Sequence, residues 1–152
     1  MKKGDDISLN KTKLIVLCTG NSARSQMAEA FLRRYASKRF NIYSAGFVPK
    51  GVNPYTIKVM EEIGYDMSSH YSKSLNQYLD KIHFKIVITV CQKAEEMCPI
   101  IPGVEIKLYW PFEDPALFEG TEKEKLIKFR EIRDKMRKHV KSWLKERGIV
   151  NY

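Results

Sequence analysis

The stretch from residue 13 to residue 36 constrains the fold more than any other. Four apolar residues, Leu-Ile-Val-Leu, precede Cys18 and predict a short buried strand over residues 13–18. Small and turn-prone residues, Thr-Gly-Asn-Ser-Ala, come next, and an amphipathic helix is predicted over residues 25–36. A buried strand that passes through a tight loop into a helix is typical of α/β proteins.

This loop is predicted to bind an anion. Consecutive backbone N–H groups would point at one spot, where the N-terminus of the helix adds unpaired donors and the positive end of its dipole. Cys18 opens the loop and Arg24 closes it; a thiol in that field should lose its proton easily, and a guanidinium fork suits two oxygens of a tetrahedral oxyanion. The candidate oxyanion-binding residues are Thr19, Gly20, Asn21, Ser22, Ala23 and Arg24.

A simpler interpretation of the same residues stays open. A cysteine at the end of a buried strand is more often a small core residue, and a cysteine and an arginine with five residues between them form a weak motif. The strand, the Gly-Asn-Ser loop and the helix together favour the oxyanion loop, since each part is one that the chemistry requires.

Composition limits the classes of protein that need to be considered. With 152 residues, of which 43% are hydrophobic, the chain predicts a single catalytic domain over 13–152 after a flexible N-terminal tail, 1–12. No membrane span or signal peptide is recognisable, so we expect a cytoplasmic protein without membrane contact. Most of the net charge of +9 lies in the C-terminal helix, where a solvated face is the ordinary interpretation, and nucleic acid is not an expected partner. Three cysteines suit reactive thiols in a reducing compartment better than a disulfide framework.

The remaining segments alternate between strands and helices. Strands are predicted over 41–46, 84–90 and 104–108, and helices over 55–63, 92–97 and 121–147. This alternation predicts an α/β fold: a four-stranded parallel sheet flanked by helices on both faces. Ligands of such sheets bind beyond the carboxyl ends of the strands, so Cys18, Cys91 and Asp114 should meet at one edge.

Two kinds of chemistry fit that edge. A thiolate at Cys18 could attack a tetrahedral centre held by Arg24, and Asp114 could protonate the leaving oxygen, although Asp114-Pro115 alone would suggest an ordinary turn or helix start. A phosphatase would then use water and need no further cysteine. If the centre accepts two electrons, as arsenic(V) does, Cys91 could attack Cys18 and Cys98 could then attack Cys91, unless both are simply packed in the core.

Several motifs carry a resemblance to a known family. The chain resembles the thioredoxin-coupled arsenate reductases, which have the fold of the low-molecular-weight tyrosine phosphatases, from about Lys13 to its C-terminus. The matching segments are Cys18-Thr-Gly-Asn-Ser-x-Arg-Ser-Gln-Met-Ala-Glu29, Tyr43-Ser-Ala-Gly46, Ile63-Gly-Tyr-Asp66, Ser69-His-Tyr-Ser-Lys73, Cys91 with Cys98-Pro99, and Trp110-x-Phe-x-Asp-Pro-Ala116. The cysteine loop is shared with the phosphatases, and the pair Cys91 and Cys98 points to the reductases.

The resemblance implies a role for each matching residue. Cys18 would be the nucleophile, with its thiolate hydrogen-bonded by Ser25, and Arg24 and Asp114 would bind the oxyanion and act as the acid. Cys91 would resolve the adduct, and Cys98 would form the final disulfide, which thioredoxin reduces. No cofactor is required, and a monomer is expected.

A cation site is also implied. Some relatives bind potassium near the loop through residues that match Asn21, Glu29, Ser44 and Asp66; ordinary hydrogen bonding that braces the loop is the alternative. The chain departs from the family pattern at Ala23, where some relatives have a further cysteine, and at Pro111, where glycine is familiar.

Three hypotheses therefore remain at this point. The leading one is the reduction of arsenate to arsenite. The second is a low-molecular-weight phosphatase that hydrolyses phosphate monoesters through a phosphocysteine at Cys18. The third is an anion-binding or nucleic-acid-binding protein without catalytic activity, which would use the basic surface.

Overall fold

Four parallel strands form one sheet in the order β2-β1-β3-β4. The structure is a computed structural model that describes residues 11–149, and the greater part of the predicted tail, residues 1–10, lies outside the described residues. The strands are β1 (Thr12–Cys18), β2 (Phe40–Gly46), β3 (Ile86–Thr89) and β4 (Ile106–Tyr109). Because β1 and β3 are neighbours, the ends of two strands that are far apart in the sequence meet at the same edge.

The helices follow the predicted alternation. They are α1 (Arg24–Ala36), α2 (Pro54–Glu61), α3 (Gln92–Met97) and α4 (Glu122–Glu146), with 3-10 turns at Leu75–Gln77 and Pro115–Leu117. The Asn53 side chain caps α2, and Thr121 and Glu124 form a reciprocal capping box at the start of α4, as their positions before apolar segments predict.

The two faces of the sheet are covered differently. One face lies against α1, α2 and α4, and the apolar stripe predicted for the long helix is buried there: Phe129, Ile132, Met136, Val140 and Trp143. The opposite face buries a smaller cluster around Ile15, Leu17 and Phe84. Among residues 11–149, the 3-10 turn at Leu75–Gln77 and irregular segments cover this face. The predicted α/β fold with a four-stranded parallel sheet is confirmed, and the helical cover of this second face is short.

Strand β3 is shorter than the predicted strand, and β4 is displaced toward the C-terminus. The sequence predicts β3 over 84–90, a segment rich in β-branched residues, and β4 over 104–108. The backbone of Val90 still donates to Leu17 O at 3.0 Å, so hydrogen bonding continues past the end of β3. Phe84 precedes β3 and packs into the smaller cluster, which explains its apolar character.

A helix that spans a membrane needs about 20 consecutive, mostly apolar residues. Within residues 11–149, no helix combines the length and the apolar character needed to cross a membrane.

Candidate active site

The loop after β1 turns its carbonyl oxygens away from its centre. Three backbone N–H groups of the segment 48–53 hold them, at 2.9, 3.0 and 3.0 Å: those of Val48, Lys50 and Asn53, bonded to Thr19 O, Gly20 O and Ser22 O. In the part of the chain that the structure describes, the N–H groups of Gly20, Ser22 and Ala23 have no protein acceptor. Ala23, the N-cap residue of helix α1, also provides no side-chain cap. The loop therefore presents donors to an anion, as its sequence predicts.

Gly46, at the end of β2, lies directly against this loop. A Cβ atom at that position would be 2.7 Å from Thr19 O and 2.8 Å from Asn21 N. Contacts this short are not tolerated, so only glycine lets β2 approach the loop closely enough to support it.

Cys18 lies at the floor of the loop and is 2% exposed. Its Sγ accepts a hydrogen bond from Asn21 N at 3.2 Å and lies 2.9 Å from Ser25 Oγ. Asn21 has a φ of +50°, a left-handed conformation that asparagine adopts more easily than most residues, and this conformation turns its N–H toward the sulfur. Donors thus converge on Cys18 Sγ from two sides.

The Asn21 side chain fixes the direction of these hydrogen bonds. Its Nδ2 donates to Ser25 Oγ at 2.8 Å and to Ser44 Oγ at 2.9 Å. An amide NH₂ is only a donor, so Ser25 Oγ accepts from Asn21 and keeps its own proton for Cys18. Ser25 therefore lies in the position expected of a donor to a thiolate.

Arg24 and Asp114 meet at the mouth of the loop. Arg24 Nη2 is 3.4 Å from Asp114 Oδ2, and Arg24 Nη1 donates to Phe112 O at 2.9 Å. Asp114 also caps the 3-10 turn that follows it, with Oδ1 accepting from Ala116 N at 3.0 Å. The helix-start interpretation of Asp114 thus agrees with the structure, and the cap and the contact with Arg24 use different carboxylate oxygens.

Pro111 does not keep the acid loop away from the site. Trp110 N donates to Thr89 O at 2.7 Å, and Phe112 N donates to Val90 O at 3.2 Å. Proline has no N–H and lies between these two bonded positions, where none is used. The loop therefore remains attached to the end of β3, and Asp114 reaches Arg24.

A cavity of about 380 Å³ joins these groups. Cys18, Arg24, Cys91 and Asp114 all line it, together with every other predicted oxyanion-binding residue except Asn21, whose side chain is fully buried. Cys91 Sγ lies 3.5 Å from Thr19 Oγ1 and accepts from Ala94 N at 3.4 Å at the start of α3. The sequence-based expectation that Cys18, Cys91 and Asp114 share one edge matches this geometry.

Cys98 lies away from this cavity, beyond the far end of α3. Its thiol contacts Pro99 O at 3.6 Å and packs, half-buried, beside the smaller apolar cluster. Burial raises the pKa of the Cys98 thiol, and Lys107 opposes that shift. All three cysteines are unpaired in the structure.

The comparisons with known proteins agree with this geometry. A model of the low molecular weight phosphotyrosine protein phosphatase family matches residues 13–148. An arsenate reductase of Halalkalibacterium halodurans is 42% identical over 135 residues, which are 89% of this chain and 96% of the relative. The chain belongs to the arsenate reductases of this phosphatase family.

Solved structures of other arsenate reductases share the fold. One, an arsenate reductase in the phosphate binding state, superposes with a TM-score of 0.75 at 28% identity, over 89% of this chain and 98% of that one. A thioredoxin-dependent arsenate reductase of Corynebacterium glutamicum gives a TM-score of 0.61 at 26% identity, over 91% of this chain and 65% of that one.

The cation site implied by likeness to other arsenate reductases is only partly assembled. Asn21, Ser44 and Glu29 are buried and hydrogen-bonded in series, with Ser44 Oγ donating to Glu29 Oε1. Asp66 is exposed, and its carboxylate accepts from Ser68 N at 2.9 Å. The ammonium group of Lys73 lies 3.7 Å from Glu29 Oε1. Three of the four expected ligands are therefore joined to one another, and within residues 11–149 the structure gives Asp66 no contact with them.

Three residues whose role the sequence does not predict hold Asn21 in place by hydrogen bonds. Ser72 Oγ donates to Asn21 O at 2.6 Å, Gln26 Nε2 donates to the same oxygen at 3.0 Å, and Lys73 N donates to Asn21 Oδ1 at 2.9 Å. Two of the three come from a segment about fifty residues further along the chain, and its polar, aperiodic sequence gave no signal of this role.

Proposed function

We propose that this protein reduces arsenate to arsenite through Cys18, Cys91 and Cys98, with thioredoxin as the reductant. The Cys18 thiolate attacks arsenic(V) and displaces one oxygen, which leaves as water after Asp114 supplies a proton. Arg24 and the loop N–H groups hold the remaining oxygens during this step.

The second step reduces the arsenic. Cys91 attacks Cys18 Sγ, the sulfur–arsenic bond breaks, and its electron pair stays on arsenic, which leaves as arsenite. A Cys18–Cys91 disulfide remains. The observation that supports this step most directly is that both sulfurs open on the same cavity, with Cys91 Sγ only 3.5 Å from the loop residue Thr19.

The third step regenerates the Cys18 thiolate. Cys98 attacks Cys91 Sγ, releases the Cys18 thiolate and forms a Cys91–Cys98 disulfide, and a thioredoxin dithiol then reduces that disulfide. The partner at this step is thus a thiol reductant, which suits a reducing compartment such as the cytoplasm. The proposal requires no cofactor, nucleic acid or membrane, and a monomer suffices.

The decisive assay couples arsenate reduction to NADPH oxidation through thioredoxin and thioredoxin reductase. We expect arsenate-dependent NADPH oxidation that is lost in Cys18→Ser. Cys91→Ser should stall with arsenic on Cys18, and Cys98→Ser should complete one reduction and trap the Cys18–Cys91 disulfide. Mass spectrometry of peptides after a single equivalent of arsenate distinguishes these species. Full activity in both late-cysteine variants, with no Cys91–Cys98 disulfide in the wild type, would disprove the relay.

Hydrolysis of phosphate monoesters is the second candidate, because the loop, Arg24 and Asp114 could perform it without Cys91 or Cys98. The cavity walls beyond the loop carry aliphatic or polar side chains, among them Lys50, Gln92, Lys93, Ala116 and Leu117. Hydrolysis of para-nitrophenyl phosphate without any reductant, unaffected by Cys91→Ser and Cys98→Ser and in the absence of arsenate reduction, would establish the phosphatase instead.

A further inference from the structure

Lys73 carries a buried ammonium group next to the oxyanion loop. Its side chain is 6% exposed. Its Nζ donates to Tyr71 O at 2.7 Å, lies 3.7 Å from Glu29 Oε1 and stands 4.7 Å from the centre of the Tyr71 ring. Buried lysines are rare unless they are paired, so the local negative groups must compensate for this charge.

Glu29 is the compensating group. Its carboxylate is 3% exposed and has two cationic neighbours, since Arg33 Nη2 lies 2.8 Å from Oε2 while Lys73 lies on the side of Oε1. Arg33 is half-exposed, which leaves Lys73 as the buried partner of this carboxylate. A buried carboxylate that lost such a partner would carry a large desolvation penalty.

Glu29 is connected to the nucleophile by a directed chain of hydrogen bonds. A carboxylate only accepts, so Ser44 must donate to Glu29; Ser44 can then only accept from Asn21 Nδ2. The same amide donates to Ser25 Oγ and so directs the Ser25 proton toward Cys18 Sγ. Glu29 thus anchors, through Ser44, the amide that orients the donor at the sulfur.

We infer that the Lys73 ammonium is the resident cation of this network and balances the charge of Glu29, where a potassium ion would otherwise do so. It therefore holds Cys18 in its reactive arrangement without added potassium. Lys73 is a positioning residue, because it acts through Glu29, Ser44 and Asn21. Its backbone adds to this role, since Lys73 O accepts from Gly46 N at 2.8 Å and ties the residue to the end of β2.

Burial and the neighbouring charges act on the pKa of Lys73 in opposite directions, and geometry rather than this balance supports the ion pair. Burial lowers the pKa of the Lys73 side chain, and the charge of Glu29 acts in the opposite direction. Arg33 adds to the lowering.

Thermal unfolding in matched salts tests the cation directly and does not depend on the proposed activity. We expect the wild-type melting temperature to be the same in sodium chloride and in potassium chloride at equal ionic strength. Lys73→Ala, which leaves a space beside Glu29, should melt lower and regain part of the loss in potassium but not in sodium. Lys85→Ala is the control, because Lys85 forms an exposed ion pair with Glu105 and should show no potassium effect. A saturable, potassium-specific rise in the wild type would overturn the inference, as would a Lys73→Ala variant that melts like the wild type.

Alkylation of Cys18 by iodoacetamide tests the positioning role, and this measurement rests on the proposed identity of the nucleophile. Lys73→Met keeps the length of the side chain but removes its charge, and we expect Cys18 to react about tenfold more slowly at neutral pH, as when an outer-shell partner is lost. Lys85→Met should react like the wild type, and wild-type reactivity in Lys73→Met would refute the role. If Cys18→Ser still reduced arsenate, the proposed function would fail while the unfolding result stood.

A folding defect in Lys73→Met would also be informative. Glu29→Gln combined with Lys73→Met removes both charges, and recovery of the folded state would support the ion pair. A double variant that still failed to fold would assign Lys73 a packing role and overturn the inference.

Discussion

Two small residues, Asn21 and Gly46, shape the oxyanion loop. Asn21 accepts a left-handed conformation and uses its backbone N–H, its carbonyl and both ends of its amide in hydrogen bonds. Gly46 contributes because it has no Cβ atom, and only a hydrogen faces Thr19 O and Asn21 N. The loop is therefore held by its neighbours rather than by its own sequence alone.

Gly46→Ala should displace the loop without unfolding the protein. Its Cβ would meet backbone atoms at 2.7 and 2.8 Å, which cannot move aside as a side chain could. We expect arsenate reduction to fall about a hundredfold, the effect of a displacement of roughly 1 Å at a reaction centre. The matched control is Gly148→Ala, after the end of α4, which has a φ of +80° and open space around it and should cost about 1 kcal/mol of stability with little effect on rate. Equal rates in the two variants would show that Gly46 does not position the loop.

Asp114→Asn should slow the first chemical step, because an amide cannot donate a proton as a carboxylic acid does. The expected loss is about a hundredfold in single-turnover reduction of arsenate. The pH–rate profile provides the check. If the variant keeps both limbs of the wild-type profile, the acid is a different residue.

Helix α3 separates the two cysteines that must form the final disulfide. Seven residues of helical rise place Cys91 and Cys98 about 10 Å apart along the axis, whereas disulfides need Cα atoms within about 7 Å. The helix must therefore unwind during the proposed relay. Glu95 opposes that change, since its Oε1 accepts from Thr89 Oγ1 at 2.6 Å and from Lys107 Nζ at 2.7 Å.

Glu95→Gln should consequently speed formation of the Cys91–Cys98 disulfide. The hydrogen bond from Lys107 is the main reason why the pKa of Glu95 lies below its ordinary value of 4.5. The attachment is thus complete above pH 4.5 and is lost as the pH falls through the lowered pKa. Stopped-flow measurement of disulfide formation at pH 7 should give a faster rate in Glu95→Gln than in the control Glu96→Gln, whose contact with Gln92 lies within α3. Identical rates would mean that Glu95 does not restrain the helix.

The long helix α4 is joined to α2 by charge as well as by apolar packing. Glu62 at the end of α2 accepts from Arg130 Nη2 at 2.7 Å and from Arg133 Nη1 at 3.0 Å. Arg133 Nη1 also donates to Val59 O at 2.9 Å and is largely buried. Some of the basic residues of α4 therefore form contacts within the protein and are not part of a purely solvated face.

Glu62→Gln should lower the stability of the whole molecule slightly and in a pH-dependent way. The hydrogen bond from Arg130 is the largest cause that lowers the pKa of Glu62 below 4.5. Its contribution is therefore full above pH 4.5 and disappears as the pH falls through the lowered pKa. We expect a difference in the free energy of unfolding below about 1 kcal/mol at pH 7, since the side chain is partly exposed, and none in strong acid. Urea titrations at the two pH values measure it, and a difference that persists in acid would exclude the ion pairs as its source.

Much of this architecture could be predicted from the sequence because its signals are local. The apolar run before Cys18, the cap at Asn53 and the capping box at Thr121 each specify a nearby element. Parallel strand order then brings Cys91 to Cys18 without further information. What could not be predicted depends on contacts between distant segments, such as the Lys73 ammonium beside Glu29, because a polar segment without periodicity does not reveal which buried charge it will meet.

The pairing of β1 with β3 has a consequence for synthesis of the chain on the ribosome. The loop and the β2 strand that supports it are complete at Gly46, within the first third of the chain, whereas Cys91 follows more than seventy residues after Cys18. A nascent chain that stops in between would carry an activated thiol with no partner to resolve it. In the proposed relay the first sulfur is regenerated only after β3 has joined β1 in register, Leu17 opposite Thr89, so reductive turnover would report that these two strands have paired.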